Sequence, residues 1–600
     1  MKSILPLILS MLLLASPSAS GDNRISYKDV HPRLLMDGKD FRRLQKDVSR
    51  DDNEALNLLH ANQMAIADSC LALKPLEYKK DASNKRILAV SREAVMRMTA
   101  LSYAYRYTGD VKYLEAGEKV LRTVCSFPDW NPSHYLDVGE MSFAVAFGYD
   151  WMYDGLSEDT KALVRKALRA FAFDTSLDRR RTGFYYNSNN WNQVCNGGLV
   201  CAALGTLPAG DTCMVRIVDR AVESNSGAMK MYAPDGNYPE GPSYWGYGTQ
   251  WEVLMLTAFE SVLGHDFGLS NAEGFLRTGT YMAWSIGNAG KVFNFSDNGP
   301  KQTLNNPLWY FAYKTGDAST VWKDMEMYRS GVVSRDRLLI LALIYADKIG
   351  PLKDVVPEGR VYCGRGENPI AICRTGLGSD DLYLGVKGGS ASVNHAHMDA
   401  GSYVFDARGV RWVGEIPYPP YAKSEVELKA IGGDLWSRKP GSMRWKVPSY
   451  NNRCHNTLTV NDKDHVVEGF APIVETFDSD GKLGATVDLT DIFGGDLESA
   501  VRTLSIVEGS SLEIRDALKA PAGRAASVRW TLVTQTCPSI DDSGITLTQD
   551  GKQMRLTVSG ADVEFRQWPV APEFRTFVLG FIFEVPAGSS KEVVVRLDPL

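Results

Sequence analysis

Apolar residues in the first half of the chain recur at the spacing of amphipathic helices. Over residues 91–110 they fall every three or four positions, and Gly109 ends the pattern. Similar helical patterns occur at residues 112–127, 141–159, 159–174, 253–264 and 337–350. Because such helical hairpins repeat and carry many aromatic residues, residues 30–350 predict an α/α toroid or a helical solenoid.

The pattern changes near residue 350. Residues 349–360 have the composition of a linker, and short runs rich in β-branched residues follow to the end of the chain. Turn residues separate these runs at intervals of roughly 8–15 residues, which is typical of a large antiparallel β-sandwich. We therefore predict a helical domain over residues 21–350 and a β domain over residues 351–600, which makes an α + β multidomain protein.

The first twenty residues have the pattern of a secretory signal peptide. One Lys precedes an apolar run and then small residues, with a plausible cleavage position near Ala19 or Ser20. The run from Ile4 to Ala15 is short for a membrane span, and no Cys follows it as a lipoprotein anchor would require. No later segment is long and apolar enough to cross a bilayer, so we expect a secreted, periplasmic protein.

Charge and cysteine content narrow the classes of function. The formal net charge of -6 argues against a nucleic-acid partner, which needs a basic face, but allows an anionic ligand in a locally positive cleft. The nine cysteines are scattered and contain no CxxC pair, so we expect buried thiols with at most one bridge. The sequence leaves the oligomeric state open.

An Asn-rich segment at residues 187–205 is the first candidate for chemistry. Asn189, Asn190 and Trp191 precede a run of small residues that reads as a helix. Asn side chains offer hydrogen-bond donors without charge, so they can hold a carboxylate without titrating. The structural alternative is a helix cap and turn, both of which Asn favours.

A second candidate segment spans residues 234–251. Tyr244 and Tyr247 are three residues apart and would share a helical face, in a helix that Pro242 would open. A tyrosine can transfer protons if its surroundings lower its pKa. Ordinary packing of core aromatics is the structural alternative.

Histidines mark the third candidate, formed by residues 393–415 and 450–460. On a strand, His395 and His397 would point to one face, whereas in a loop one could bind a metal and the other face the substrate. His397, Glu415 and His455 make a plausible zinc-binding set, with Asp399 as the competing carboxylate. The structural alternative is histidines satisfied by backbone hydrogen bonds.

Taken together and in order, these motifs resemble the heparinase II/III-like superfamily of polysaccharide lyases, which includes heparinases and exo-acting alginate lyases. The matching segments are HPRLL, NNWN, EGPSYWGYG, NHAHMDAGSYVFDARG and CHNTLTV. The resemblance covers most of the mature chain. It implies an α/α toroid followed by a C-terminal antiparallel β-sandwich, and an enzyme that cleaves a uronate-containing acidic polysaccharide by β-elimination.

The resemblance also implies roles for individual residues. Asn190 is similar to the residue that neutralises the substrate carboxylate, Tyr247 to the catalytic tyrosine, and His395 to the active-site histidine of the β domain. Tyr244 is the alternative to Tyr247. Trp191 occupies a position where several members have a histidine, so the base which that residue provides is missing here.

Further expectations concern substrate and metal. Asn189, Trp191, Glu240 and Tyr244 are expected to contact the substrate. His397, Glu415 and His455 resemble the ligands of one structural Zn²⁺, although the family's carboxylate is often Asp. Either Tyr247 acts as base and acid in a syn elimination, or His395 is the base and Tyr247 the acid.

Two other classes of function compete with a lyase. α/α toroids also host glycoside hydrolases, which need two opposed carboxyl groups, and Asp235, Glu240 and Asp297 are the candidates. The Asn-Tyr-His set has no role in that chemistry. The second competitor is a non-catalytic protein that binds a glycan on aromatic surfaces.

Overall fold

The computed structural model describes residues 25–353 and 356–600. The predicted signal peptide, residues 1–20, lies outside these described residues. Within them, no helix combines the length and the apolar character that a membrane span needs. All nine cysteines are free thiols. Five are buried, whereas Cys363 and Cys537 are exposed, so the expectation of buried thiols is wrong for these two.

Helices make up the first part of the chain, up to Ile349. Their bounds are α1 (Gly38–Arg50), α2 (Glu54–Leu71), α3 (Leu88–Thr108), α4 (Val111–Cys125), α5 (Tyr135–Trp151), α6 (Glu158–Ala167), α7 (Asp174–Ser176), α8 (Asn190–Thr206), α9 (Thr212–Met229), α10 (Pro242–Leu263), α11 (Thr278–Trp284), α12 (Pro307–Thr315), α13 (Trp322–Arg329) and α14 (Leu339–Ile349).

Helices α5, α8 and α10 form the inner part of this domain. Every residue of α5 is buried, and α8 is buried from its second turn onward. Such helices are apolar on all sides because other helices surround them. The small residues of α8 let its neighbours approach: a Cβ on Gly198 would lie 1.9 Å from the Gly139 carbonyl oxygen of α5, and one on Gly197 would lie 2.8 Å from the Trp251 carbonyl oxygen of α10.

The rest of the chain is mainly antiparallel sheet, with one further helix, α15 (Tyr421–Ala430). The strands are β1 (Val361–Gly364), β2 (Ile370–Arg374), β3 (Tyr383–Lys387), β4 (Tyr403–Ala407), β5 (Val410–Val413), β6 (Leu458–Val460), β7 (Ile473–Ser479), β8 (Lys482–Asp488), β9 (Ser499–Val507), β10 (Ser511–Lys519), β11 (Ala526–Thr534), β12 (Cys537–Asp541), β13 (Gly544–Gln549), β14 (Lys552–Ser559), β15 (Arg566–Trp568), β16 (Phe577–Val585) and β17 (Ser590–Pro599).

These strands form three sheets. Their orders are β1-β2-β3-β4-β5, β12-β13-β14-β17-β10-β9-β8-β7 and β15-β16-β11-β6. Helices followed by packed antiparallel sheets confirm the predicted fold class.

The sheet β1–β5 is the layer that joins the two domains. In β2, Ile370 and Ile372 belong to the core of the helical domain, whereas Ala371 and Cys373 belong to the core of the β domain. Successive side chains of a strand point to opposite faces, so both faces of this sheet are buried. The domains therefore share a continuous packed interface.

The HPRLL segment is attached to the toroid by one buried carboxylate. Asp150, near the end of α5, accepts hydrogen bonds from the backbone N–H groups of Arg33 and Leu34 at 2.9 and 2.8 Å. Its other oxygen lies 2.5 Å from Nδ1 of His31. The acidic side chain thus satisfies a turn that would otherwise bury unpaired N–H groups.

We expect Asp150→Ala to destabilise the toroid, because it leaves two buried backbone donors without a partner. The free energy of unfolding should fall by about 3 kcal/mol in a denaturant titration. Asp154→Ala is the matched control, since the Asp154 side chain is 72% exposed and pairs only loosely with Arg106. Equal stability of the two variants would contradict this role of Asp150.

Candidate active site

The site lies where the N-terminal ends of the inner helices meet the β domain. Three contacts link these ends in sequence. The N–H of Ile87, which caps α3, donates to Asp137 of α5; His134 before α5 contacts Trp191 of α8; and Asn190 of α8 donates to Glu240 before α10. Helix N-termini carry a partial positive charge, and at this end of the toroid it lies beside the buried carboxylates of Asp137 and Glu240.

Asn190 occupies the first position of α8. The side chain of the preceding Asn189 caps the helix, accepting a hydrogen bond from the Trp191 N–H at 3.1 Å. The predicted alternative for this segment, a helix cap, is thus correct for Asn189. Asn190 instead turns its amide Nδ2 to Glu240 Oε2 at 3.3 Å. This contact uses one of the two amide hydrogens of Asn190.

Glu240 connects the two domains. Its carboxylate is fully buried and accepts hydrogen bonds from Asn190 on one oxygen and from Asn394 of the β domain on the other, at 2.5 Å. Arg438 in turn donates to the Asn394 carbonyl oxygen at 2.9 Å. Glu240 therefore orients one neutral amide from each domain and does not face open solvent.

His395 stands on a loop between β3 and β4, so the strand geometry considered for the HxH motif does not apply. Its backbone is left-handed, with φ at 59°, which is rare for a residue with a side chain and common at functional sites. The imidazole stacks on Tyr244, with ring centroids 3.9 Å apart and an interplanar angle of 18°. Its Nδ1 lies 2.8 Å from Asp297 Oδ2.

Asp297 collects three donors from the β domain. His395 Nδ1 and the Tyr421 hydroxyl contact Oδ2, the latter at 2.9 Å, and His397 Nε2 contacts Oδ1 at 2.9 Å. Burial alone would raise the pKa of this carboxyl, but the hydrogen bonds from His395 and His397 hold its pKa well below the usual range. An ionised carboxylate can only accept, so His395 donates its Nδ1 hydrogen to Asp297.

The Tyr244 hydroxyl belongs to the same network. It lies 2.7 Å from the Tyr421 hydroxyl, and because Tyr421 donates to Asp297, Tyr244 is the donor to Tyr421. Burial, and then the negative charge of Asp297, raise the pKa of Tyr244 well above its usual value. The side chain is consequently held as a neutral proton donor.

Tyr247 lies one helical turn away in a different environment. Its hydroxyl donates to Glu140 at 2.9 Å, and Glu140 also pairs with Arg92 and Arg337. The Arg92 guanidinium lies 4.8 Å from the centre of the Tyr247 ring. Burial and the Glu140 charge raise the pKa of Tyr247. Of the two candidate tyrosines, Tyr244 is the one in contact with His395.

The predicted zinc residues are close neighbours and almost fully buried. The rings of His397 and His455 are 5.3 Å apart, and His455 Nδ1 lies 2.5 Å from Glu415 Oε2. Two imidazoles and a carboxylate suit zinc chemically, but two donors on one tetrahedral zinc are about 3.3 Å apart. The side chains are thus arranged as a hydrogen-bonded cluster, and no three His, Cys, Asp or Glu of the described residues are spaced as metal ligands.

The carboxylates considered for hydrolysis have other partners. Asp235 pairs with Arg365 at 2.9 Å, and both oxygens of Glu240 and of Asp297 accept hydrogen bonds.

Sequence reasoning named Asp297 only as a hydrolase candidate and missed Tyr421, Asn394 and Arg438. Asn394 lies next to the histidine motif and could have been identified from the sequence. No local sequence pattern marks Tyr421.

We expect Glu240 and Asn394 to be energetically coupled across the domain interface. In a double-mutant cycle with Glu240→Ala and Asn394→Ala, the coupling in unfolding free energy should be about 1–3 kcal/mol. Asn288→Ala is a suitable control partner for Glu240→Ala, since its amide contacts Gly376 instead. A coupling near zero for the Glu240–Asn394 pair would show that their hydrogen bond does not stabilise the domain interface.

Comparisons with known proteins agree with this architecture. Residues 374–584 match the family model described as heparinase II/III-like, C-terminal. The fold is similar to the crystal structure of heparinase III, with 12% identity, a TM-score of 0.60 and coverage of 90% of this chain and 85% of that one. A mutant of the heparan sulfate lyase HepC from Pedobacter heparinus gives 13% identity, a TM-score of 0.59 and coverage of 95% and 92%.

No curated protein sequence matches the chain. At these identities the solved structures establish the fold, and the family model identifies the domain that carries His395, His397, Glu415 and His455. Residues 374–584 thus form a heparinase II/III-like C-terminal domain, and the fold of the chain is similar to that of heparinase III and of the heparan sulfate lyase HepC.

Proposed function

We propose that this protein is a polysaccharide lyase that cleaves an acidic, uronate-containing glycan by β-elimination. The observation that carries the proposal is the convergence of Asn190, Tyr244 and His395 at the N-terminal ends of the inner helices. The matching solved structures include a heparinase and a heparan sulfate lyase, which is consistent with an acidic glycan substrate.

The substrate carboxylate is the group to be stabilised. Removing the proton on carbon-5 of a uronate places negative charge on the carboxylate as an enolate forms. The second amide hydrogen of Asn190 offers a preorganised, uncharged donor for that charge. Since this donor is fixed before the reaction, its stabilisation grows as the charge develops.

His395 and Tyr244 supply the two proton transfers. His395 Nε2 accepts the carbon-5 proton, and the electrons of the broken C–H bond form the double bond between carbon-4 and carbon-5. The bond from carbon-4 to the glycosidic oxygen breaks with its electron pair, and the Tyr244 hydroxyl turns its hydrogen from Tyr421 to that oxygen and gives it the proton. The neutral state of Tyr244 and the Nε2 atom of a neutral His395 suit these roles.

A structural zinc ion is a second part of the proposal. His397, Glu415 and His455 would hold it once the contact between His455 and Glu415 is replaced by coordination. Such an ion would tie together the loop bearing His395, the end of β5 and the turn before β6, and its chemistry would be structural. We also propose that the signal peptide predicted at residues 1–20 would direct this activity to the periplasm.

The lyase proposal is tested by incubating the purified protein with heparan sulfate, chondroitin sulfate and alginate. β-Elimination creates a conjugated unsaturated uronate that absorbs in the near ultraviolet. New reducing ends without that absorbance would indicate a hydrolase, and binding without either product would indicate a glycan-binding protein.

Tyr244→Phe removes only a hydroxyl and should lower kcat by roughly 10²–10⁴-fold, because the leaving oxygen loses its proton donor. Tyr247→Phe is the matched variant on the next helical turn, and we expect it to lower kcat less than about tenfold. A larger loss of kcat in Tyr247→Phe than in Tyr244→Phe would indicate that Tyr247 is the catalytic tyrosine. Circular dichroism checks that both variants are folded.

Asn190→Ala should lower kcat by roughly 10²-fold or more while changing KM little, because its hydrogen bond strengthens only as charge builds in the transition state. Steady-state kinetics on the best glycan of the panel separates the two constants. A raised KM with an unchanged kcat would mean that Asn190 contributes only to ground-state binding.

We expect one zinc per chain by elemental analysis, and His455→Ala should lose it and melt at a lower temperature. His465→Ala is the matched control, since His465 is buried nearby and contacts the Leu458 carbonyl oxygen instead. The control should retain zinc. Metal-free wild-type protein that melts like the zinc-treated protein would show that the cluster is held by hydrogen bonds alone.

A further inference from the structure

We infer that the depression beside the start of α8 is a subsite that binds a sugar ring of the glycan away from the bond being cleaved. It has a volume of about 350 Å³ and is lined by Tyr185, Tyr186, Asn187, Ser188, Arg220 and Glu223 among others. This inference rests on the proposed function, and it extends the site to a surface that the three sequence motifs do not cover.

An exposed aromatic ring marks this surface. Tyr186 is 87% exposed, more than any other large apolar or aromatic side chain of the described residues. A ring that folding leaves in water offers a flat apolar face to the C–H face of a pyranose. Aromatic side chains with a polar tip combine such stacking with hydrogen bonding, which suits a ligand that is apolar on its faces and polar at its rim.

The neighbouring Tyr185 is only 7% exposed, yet its hydroxyl has no hydrogen-bond partner among the described residues. Buried hydroxyls are nearly always paired, so an unpaired one beside a depression calls for a partner from outside the chain. Because the hydroxyl oxygen itself is buried, a bound water is the group that can pair with it and continue the hydrogen bond to a sugar.

Arg220 and Glu223 complete the set of polar groups. The Arg220 guanidinium lies 3.9 Å from the centre of the Tyr185 ring and donates one N–H to the Ser176 carbonyl oxygen. Its other N–H groups have no partner within the described residues. They can donate to a uronate carboxylate or to ring hydroxyls, and the exposed Glu223 carboxylate can accept from hydroxyls.

The position links this surface to the reaction. Ser188 precedes Asn190 by two residues, so their Cα atoms are at most about 7 Å apart. One glycan chain can therefore contact Asn190 with the reacting uronate and Tyr186 with a sugar further along. The subsite favours long chains over short ones, because only long chains reach both places.

The test compares Tyr186→Ala with Tyr186→Phe, which keeps the stacking ring. The probes are the shortest cleaved oligosaccharide and a long fraction of the same glycan, heparan sulfate first and alginate second. In Tyr186→Ala, KM for the long fraction should rise about three- to tenfold. KM for the shortest oligosaccharide and kcat for both should stay unchanged, and Tyr186→Phe should resemble wild type.

An unchanged ratio of KM values for long and short chains in Tyr186→Ala would overturn the subsite while leaving the lyase intact. If the wild-type protein cleaves none of these glycans, the proposed function fails, and the subsite is then judged by calorimetric titration with intact heparan sulfate and alginate chains. Weaker binding by Tyr186→Ala than by Tyr186→Phe would support the subsite, and equal affinities would overturn it.

Discussion

The site depends on one buried carboxylate, Asp297, which belongs to the helical part of the chain. Its partners His395, His397 and Tyr421 all come from the β domain. The imidazole that faces the cleft is therefore oriented only when the two domains are packed together. Because one oxygen holds His395 and the other His397, the same side chain separates a histidine directed to the cleft from a histidine directed to the interior.

A buried carboxylate is costly unless donors surround it, and among the described residues no Lys or Arg forms an ion pair with Asp297. Hydrogen bonds to an ionised group are stronger than those between neutral groups, and they reinforce one another in a low-dielectric interior. The same network supports the left-handed backbone of His395, a conformation that an isolated loop would abandon. The same hydrogen bonds therefore orient His395 and stabilise the domain interface.

The sequence predicts much of the fold and the main residues of the site, because those features leave local patterns. Helical spacing and β-type runs mark the two domains. The ordered motifs mark the segments that contain Asn190, Tyr244 and His395. Contacts between distant residues leave no such pattern. Asp297 and His395 are 98 residues apart, and Tyr244 and Tyr421 are 177 apart. The choice between Tyr244 and Tyr247 likewise needs structure, because Glu140, the partner of Tyr247, lies 107 residues away from it.

The NNWNQVCNGG segment shows how chemistry and packing share one stretch of chain. Its Asn residues cap α8 and turn one amide to the cleft, while Gly197 and Gly198, two turns later, let α8 approach its neighbours closely. A larger residue at Gly198 would push α5 and α8 apart and separate the N-terminal ends of these helices. The Asn190 amide at the start of α8 would then move away from its neighbours as well. Gly197 and Gly198, deep in the toroid, thus set the distances between the N-terminal ends of its helices. At these ends Asn190 contacts Glu240, and Glu240 contacts the β domain.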